Sequence, residues 1–314
     1  MSIKKTEAYF HSNDGKHQVH TLIWQNDDVT HHGVVQIAHG VCEHIGRYDE
    51  FARYLADAGF VVCGNDHLGH GKTSVSIGDL GWMEPDDHMN MLRDMNTLFR
   101  IMRKRYPDLP YFMFGHSMGS FLVRLYAAQF ASELSGMILC GTMQLPAPVL
   151  LMNDPVQKLM DRLPPNFDMG DMANAAFGKV TKKLLKDDDD LAWISRNKDN
   201  LARWREDPYA GFPVGNELAG ELVSLAVKAG MPKTVRRLPA DFPVMLISGA
   251  KDPVGFFGRG VIAYSDLLLQ AGIIPEVILY PADRHEILNE EDREKVFADV
   301  VSFLTRTCSA DPNS

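Results

Sequence analysis

The sequence predicts an α/β domain built on a mostly parallel, eight-stranded sheet, with helices on both faces and a helical segment inserted late in the chain. Three observations predict this class. Short apolar runs alternate with stretches of helical periodicity. Most of these runs are apolar throughout, as in strands buried on both faces. The alternation also stops once, for roughly 95 residues, before it resumes. A chain of 314 residues is long enough for one such domain with an insertion.

The predicted strands follow from their apolar runs and from the turn residues beside them. The first two form a hairpin, because Asn13-Asp14-Gly15 between them tolerates the positive φ angles of a tight turn. The others are buried strands of the parallel sheet. The eight predicted strands are 7–12, 18–25, 33–40, 60–66, 110–115, 134–141, 242–249 and 276–282.

The predicted helices lie between these strands. In the first, Phe51, Tyr54, Leu55 and Ala58 recur at helical spacing, and Gly59 ends the pattern. The predicted helices of the repeating part are 47–58, 86–105, 118–130, 259–271 and 291–306.

Residues 142–238 interrupt the alternation. They contain many prolines, pieces of helical pattern and the acidic run Asp187–Asp190, but no clear strand. The sequence therefore predicts a helical cap at 142–238, inserted into a core formed by residues 1–141 and 239–314. An insertion at this point starts from the carboxyl end of a strand, which is the edge of the sheet where open α/β folds bind ligands.

Composition and charge limit the partners and the location. The sequence contains no run of about 18 apolar residues, so it predicts no membrane span. The first residues lack the apolar stretch of a signal peptide. The four cysteines form no Cys-x-x-Cys pair, which favours buried thiols in a reducing cytoplasm over a disulfide framework. The net charge of −9 disfavours a nucleic-acid partner, because contacts with phosphates need a basic face.

Ser117 is the strongest candidate for a catalytic side chain. It stands at the centre of Gly115-His116-Ser117-Met118-Gly119, between a predicted strand and a predicted helix. Gly-x-Ser-x-Gly in this context is typical of a nucleophile elbow, a strained turn that exposes a serine hydroxyl. A chance occurrence of this short pattern is the alternative, and the strand before it and the helix after it favour the elbow.

A nucleophilic serine needs a general base and an acid that orients the base. In α/β folds with a nucleophile elbow, the triad residues follow the chain order serine, acid, histidine. Among the 12 histidines, only His285 follows His116. Asp252 follows the strand 242–249, at the end of the sheet where an acid is needed. Asp283 is an alternative acid, although it lies only two residues before His285.

The loop after strand 33–40 is expected to complete an oxyanion hole. We nominate the backbone N–H groups of Val41 and Met118 as the two donors. Gly40, His116 and Cys42 are candidates for substrate contact, and Cys42 is interpreted as a packing residue rather than a second nucleophile.

Other ligand sites are not favoured. The stretch 69–74, Gly-His-Gly-Lys-Thr-Ser, resembles the end of a phosphate-binding loop, but Asp66 stands where that pattern requires a glycine. His67 and His70 lack the frame of a metal-binding motif, and no Gly-x-Gly-x-x-Gly follows a strand. We therefore expect no metal and no cofactor. The basic stretch 178–186 is interpreted as a solvated helix face, with transient membrane contact as the alternative.

Five segments together resemble the α/β-hydrolase superfamily, and more narrowly its monoacylglycerol lipase and lysophospholipase group. They are GHSMG, HGVCEHIGRY, NDHLGHGKT, SGAKDPVG and DRHEILNE, within residues of about 8–141 and 242–306. The resemblance implies a triad of Ser117, Asp252 and His285, and a helical cap. At Ser120, where the group commonly has a third glycine, we expect a small effect on helix packing.

We therefore expect a serine ester hydrolase that forms an acyl-enzyme on Ser117, with fatty-acyl monoesters such as monoacylglycerols or lysophospholipids as substrates. The substrate expectation rests on apolar residues of the insertion, which would equally suit the cap's own core. They are Leu150, Leu151, Met152, Met160, Met169, Met172, Phe177, Trp193 and Trp204. The alternatives are an esterase for short or aromatic esters, an acyltransferase or aminopeptidase, and a non-catalytic binding protein.

Overall fold

The computed structural model describes residues 3–150 and 169–310. Its sheet contains eight strands in the order β1-β2-β4-β3-β5-β6-β7-β8 once they are numbered along the chain. The strands are β1 Lys4–His11, β2 Gln18–Gln25, β3 Gly33–Ala38, β4 Phe60–Asn65, β5 Tyr111–His116, β6 Gly136–Cys140, β7 Val244–Gly249 and β8 Glu276–Tyr280.

Helices connect the strands and fill the insertion. Those of the described residues are α1 Asp49–Asp57, α2 Asp87–Arg105, α3 Met118–Phe130, α4 Ala147–Leu150, α5 Met169–Leu185, α6 Lys198–Glu206, α7 Asn216–Gly230, α8 Pro232–Val235, α9 Arg259–Gln270 and α10 Arg293–Ala310. None of these helices is both long and apolar enough to cross a membrane.

The sheet is parallel except at one end. β1 pairs antiparallel with β2, and β2 pairs antiparallel with β4, whereas all other neighbours are parallel. The predicted α/β class, with a mostly parallel eight-stranded sheet, is confirmed.

The largest error among the predicted strand boundaries is at the start of β1. β1 begins at Lys4 rather than at residue 7, because the ladder continues until Lys4 pairs with Gln25. β1 is an edge strand whose residues are exposed or half-buried, so its first residues are not apolar and carry no strand pattern.

The central strands are buried because helices cover both faces of the sheet. Successive residues point to opposite faces, so Val34 of β3 packs in one apolar cluster and Val35 in the other. Phe99 of α2 lies in the first cluster, and Phe51 of α1 and Phe297 of α10 lie in the second.

Between β6 and β7 the described residues form helices and loops, with no strand. The division into a core at 1–141 and 239–314 and a cap at 142–238 stays a prediction. Three of the apolar residues predicted to belong to the cap, Leu151, Met152 and Met160, lie outside the described residues.

The parallel arrangement brings four loops to one edge of the sheet. The loops after β3, β5, β7 and β8 leave the carboxyl ends of their strands, and these loops carry Val41, Ser117, Asp252 and His285. Residues that are far apart in the chain can therefore meet there.

Candidate active site

Ser117 occupies a strained turn between β5 and α3. Its φ of 51° and ψ of −117° are backbone angles that residues other than glycine rarely adopt. A Cβ atom at Gly115 would lie 2.4 Å from the carbonyl oxygen of Gly119, and one at Gly119 would lie 2.0 Å from that of Ala38, at the end of β3. The two glycines therefore let strand and helix pass close enough to present the Ser117 hydroxyl.

His285 lies between Ser117 and Asp252. Its Nε2 is 3.0 Å from Oγ of Ser117, and its Nδ1 is 2.9 Å from Oδ2 of Asp252. Because a carboxylate only accepts hydrogen bonds, Nδ1 carries the proton and Nε2 offers its lone pair to the serine hydroxyl. In this tautomer His285 is able to remove the hydroxyl proton.

The two candidate acids have different partners. Asp252 is fully buried, and its second oxygen, Oδ1, accepts from the N–H of Val254 at 2.8 Å. Asp283 instead turns toward Arg196, whose Nη2 is 3.3 Å from its Oδ1. Of the two, the structure brings Asp252 into hydrogen-bond contact with the imidazole of His285.

The loop after β3 runs against the elbow. A Cβ atom at Gly40 would lie 3.3 Å from that of Ser117, so the two backbones are in close approach. Val41 follows and borders the same cavity as Ser117. Met118 is the first residue of α3, so its N–H has no acceptor within the helix. Both nominated oxyanion donors thus lie on segments that meet at Ser117.

Cys42 connects this loop to the insertion. Its φ is 56°, its carbonyl accepts from the N–H of Gly211 at 2.9 Å, and its thiol lies 3.3 Å from the carbonyl oxygen of Phe212. Cys42 is buried at the cavity wall, so the thiol has a packing position beside the site.

A buried charge pair lies directly behind the elbow. His116 places Nδ1 3.1 Å from Oε1 of Glu43 and Nε2 3.2 Å from the carbonyl oxygen of His285. Both partners are acceptors, so both ring nitrogens carry protons and His116 is an imidazolium. Burial by itself lowers the pKa of His116, but the Glu43 carboxylate raises it more, and the net pKa is above its usual value.

Glu43 holds several donors at once. Burial raises the pKa of Glu43, but the hydrogen bond and charge of His116, together with the charges of Arg47 and His39, outweigh burial, and the net pKa is well below the usual range. Oε1 of Glu43, which lies against His116, also accepts from the N–H of Gly40 at 2.5 Å and from the hydroxyl of Tyr48 at 2.7 Å. Glu43 therefore joins the loop after β3 to the elbow.

A second ion pair joins this region to the insertion. Arg47 Nη2 lies 2.6 Å from Oε2 of Glu286, which also accepts from Nδ2 of Asn200 at 2.7 Å. The guanidinium of Arg47 lies 4.6 Å from the ring centre of Trp204. α6, which carries both Asn200 and Trp204, is therefore held against the residue that follows His285.

A cavity of about 430 Å³ opens beside Ser117 and His285. Its walls combine the polar groups already described with mostly apolar side chains of the insertion. The apolar wall residues of the insertion are Phe177, Leu191, Trp193, Ile194, Trp204, Ala210, Phe212, Val214, Ala219, Leu222 and Val223. This combination is typical of a pocket for a largely apolar ligand.

The chain is similar to known proteins in sequence and in structure. A family model described as Hydrolase_4, serine aminopeptidase S33, matches residues 29–292, most of the chain. The chain belongs to this S33 family. This member is 29% identical over 290 residues to the monoacylglycerol lipase of Mycolicibacterium smegmatis, covering 90% of the chain and 91% of the relative. It is 30% identical over 224 residues to the monoglyceride lipase of Rattus norvegicus, covering 70% and 65% respectively.

The S33 member also resembles solved structures. A highly thermostable carboxyl esterase from Bacillus coagulans, in complex with glycerol, superposes with a TM-score of 0.87 at 34% identity, covering 98% of this chain and all of that chain. Together these comparisons confirm the fold and the enzyme class expected from the sequence, an ester hydrolase of the lipase and esterase type.

The loop at 69–74, which resembles a phosphate-binding motif, is hydrogen-bonded to the carboxylate of Asp66 in the same chain. Asp66 accepts from the N–H of Lys72 at 2.8 Å, from the N–H of Ile45 at 2.8 Å and from Nδ1 of His20 at 2.7 Å. The N–H of Lys72, a donor that a phosphate in this loop would use, is thus engaged by Asp66.

Sequence reasoning missed several residues of the site in this S33 member. Glu43 and Arg47 were part of a recognised pattern, but no role followed from it. Their partners, His116 and Glu286, lie 73 and 239 residues further along the chain. Of the apolar residues predicted for the insertion, Met172 is 52% exposed rather than part of the cavity wall.

Proposed function

We propose that the protein hydrolyses fatty-acyl monoesters, such as monoacylglycerols or lysophospholipids, through an acyl-enzyme on Ser117. The observation that carries the proposal is the hydrogen-bonded series Ser117–His285–Asp252 at the wall of a cavity lined mainly by apolar side chains. Relatives named monoacylglycerol lipase and monoglyceride lipase support the same substrate class.

The reaction proceeds in two halves. His285 Nε2 takes the proton of Ser117 as Oγ attacks the ester carbonyl, and Asp252 stabilises the imidazolium that forms. The N–H groups of Val41 and Met118 bind the oxyanion. The alcohol leaves with the proton from His285, and water then repeats the sequence on the acyl-enzyme.

The cavity selects the acyl group. Aromatic and aliphatic side chains of the insertion form most of its wall, so an acyl chain bound there would bury apolar surface. The wall ends at Ser117 and His285, where the ester carbonyl would lie. A short acyl group would leave much of this apolar wall without contact.

Peptide hydrolysis, which the family description suggests, is less well supported. An aminopeptidase holds a protonated amine near the scissile bond, and the carboxylates of Glu43 and Glu286 do border the cavity. Both are already engaged, Glu43 by His116 and Glu286 by Arg47 and Asn200. Neither therefore offers an uncompensated charge to an amine.

We further propose that residues 142–238 act as a cap over this cavity and that the protein works in the cytoplasm, taking lipid substrate through transient contact with membranes. Support for the cap comes from the many cavity residues that α5–α7 and their loops supply. The negative net charge supports a small-molecule substrate rather than a nucleic-acid partner.

The test compares the wild-type protein with Ser117→Ala and with Ser76→Ala, which changes an exposed serine. Each is assayed on monoacylglycerols from acetyl to oleoyl, lysophosphatidylcholine and aminoacyl amides. We expect Ser117→Ala to lose about 10⁴-fold or more in kcat, and Ser76→Ala to match wild type. Equal activity of all three proteins would overturn the role of Ser117. Preference for acetyl esters or for amides would overturn the substrate class.

A further inference from the structure

Ser120 lies in a series of buried hydrogen bonds that ends at the carbonyl oxygen of Ser117. Its Oγ is 2.6 Å from that oxygen and 2.7 Å from Oγ1 of Thr142. Thr142 Oγ1 in turn lies 2.5 Å from Nη2 of Arg124. Ser120 and Thr142 are fully buried and Arg124 is 1% exposed, so water does not compete for these bonds.

Hydrogen-bond chemistry fixes the direction of this series. The carbonyl oxygen of Ser117 only accepts, so the Ser120 hydroxyl donates its proton there. Arg124 only donates, so Thr142 accepts from Arg124 and is free to donate its own proton to Ser120. Each hydroxyl therefore accepts from the residue before it and donates to the next, from Arg124 toward Ser117.

Arg124 places a positive charge at the start of this series of hydrogen bonds. Its guanidinium carbon lies 3.5 Å from the ring centre of Tyr264, and Nη2 also donates to the carbonyl oxygen of Met143 at 2.8 Å. No carboxylate pairs with Arg124 in the described part of the chain. Burial lowers the pKa of Arg124 to about 10, so the side chain remains a cation at neutral pH.

The carbonyl that receives this series shares a peptide group with the N–H of Met118. A hydrogen bond donated to the oxygen of an amide polarises the amide and strengthens its N–H as a donor, and bonds in a series reinforce one another. We propose that Arg124, Thr142 and Ser120 act as positioning residues that strengthen the Met118 N–H as an oxyanion donor. This inference rests on the proposed function, in which that N–H binds the oxyanion.

The expected effect is modest. Loss of a whole oxyanion donor costs about 10²–10³-fold in kcat, and cooperative strengthening is about 10–30% per bond. Breaking the series should therefore lower kcat by about two- to fivefold and leave KM unchanged. The N–H of Ser120 still donates to the Ser117 carbonyl at 2.9 Å in such variants, so the turn keeps its backbone bond.

The variants are Ser120→Ala, Thr142→Val and Arg124→Met. Thr142→Ser keeps the hydroxyl, and Ser265→Ala removes a buried serine of α9 outside the series. Three quantities are measured: kcat and KM on one ester, the carbonyl stretching frequency of a slowly hydrolysed, ¹³C-labelled acyl-enzyme, and the chemical shift of the Met118 amide proton in ¹⁵N-methionine-labelled protein. Ser120→Gly is measured as well, in case the alanine variant folds poorly.

We expect the three disrupting variants to raise the carbonyl frequency and shift the Met118 amide proton upfield, while Thr142→Ser and Ser265→Ala match wild type. An unchanged frequency and an unchanged amide shift would overturn the inference, even if the variants melt at a lower temperature. If the wild-type protein forms no acyl-enzyme, the proposed function fails, and the amide shift still decides whether the series polarises this peptide group.

Discussion

Gly119 packs against the carbonyl group of Ala38 so closely that no side chain fits between them. A Cβ atom at Gly119 would lie 2.0 Å from the oxygen and 2.5 Å from the carbon of that carbonyl. Both contacts involve backbone atoms of β3, which cannot rotate away as the end of a side chain could. The start of α3 and the end of β3 are therefore held together around Ser117.

The first prediction concerns this contact. Gly119→Ala should lower the free energy of unfolding by about 1–3 kcal/mol or more and reduce kcat, because the helix must move away from β3 and Ser117 moves with it. Gly78→Ala is the matched control, since a Cβ atom there would meet only the Ser76 hydroxyl at 3.6 Å. Urea unfolding and ester hydrolysis of both variants check this, and equal losses in the two would contradict it.

The second prediction separates the two candidate acids. Asp252→Asn should reduce kcat by about 10⁴-fold, because asparagine no longer holds His285 in the tautomer that accepts the Ser117 proton. Asp283→Asn should retain most of the activity, because Asp283 faces Arg196. Steady-state kinetics on one ester decides the matter. Greater loss from Asp283→Asn would reverse the assignment.

The third prediction concerns the buried pair behind the elbow. Glu43→Gln should lower the free energy of unfolding by about 3–5 kcal/mol, because the imidazolium of His116 would remain buried without its counter-ion. Glu206→Gln, at an exposed position, should change it by less than about 0.5 kcal/mol. Denaturant unfolding gives both values. A loss below about 1 kcal/mol for Glu43→Gln would argue against a charged pair.

The fourth prediction concerns pH. Burial, together with the charges of Asp292 and Glu290, raises the pKa of Asp283 to about 7, whereas an aspartate in the unfolded chain titrates near pH 3.9. Between these values the folded protein binds more protons than the unfolded chain. The contribution of Asp283 to stability therefore falls as the pH rises from about 4 to about 7.

Asp283→Asn removes this titration. Its free energy of unfolding relative to wild type should increase as the pH rises through the same window, whereas Gln270→Ala, which changes an exposed side chain without an ionisable group, should show no such trend. Thermal or urea unfolding at several pH values measures the difference. A constant difference across the window would contradict the raised pKa.

The fifth prediction tests the cavity as the acyl site. Val223→Trp narrows the cavity and should lower kcat/KM for palmitoyl esters by at least about tenfold, while acetyl esters are hydrolysed as before. Val223→Ala widens the cavity at the same position and is the counterpart of the tryptophan variant. If the tryptophan variant slows both esters equally, the long acyl chain does not bind along this wall.

The sequence predicted the parts of the site that depend on local pattern and chain order. Ser117 was recognised from its two glycines between a strand and a helix, and His285 and Asp252 from their places after later strands. The structure places these three side chains in hydrogen-bond contact. The predicted boundaries of β2 to β8 lie within two residues of the observed ones, whereas the start of β1, at the exposed edge of the sheet, was missed by three residues.

The rest of the site depends on contacts between distant residues. Arg47 and Glu286 are 239 positions apart, and neither position shows a local pattern that selects the other. Ser120 was expected to affect only helix packing, because its hydroxyl gains a role only when Thr142 and Arg124 come beside it. Such pairings arise from tertiary packing, and a single sequence contains no signal for them.

The backbone angles of Ser117 imply a trade-off between stability and activity. A residue with a Cβ atom at φ 51° and ψ −117° costs the folded state about 1–3 kcal/mol, which glycine would largely avoid. Ser117→Gly should therefore be more stable than Ser117→Ala, although both lack the proposed nucleophile. The exposed hydroxyl of Ser117 therefore comes at a cost to the stability of the fold.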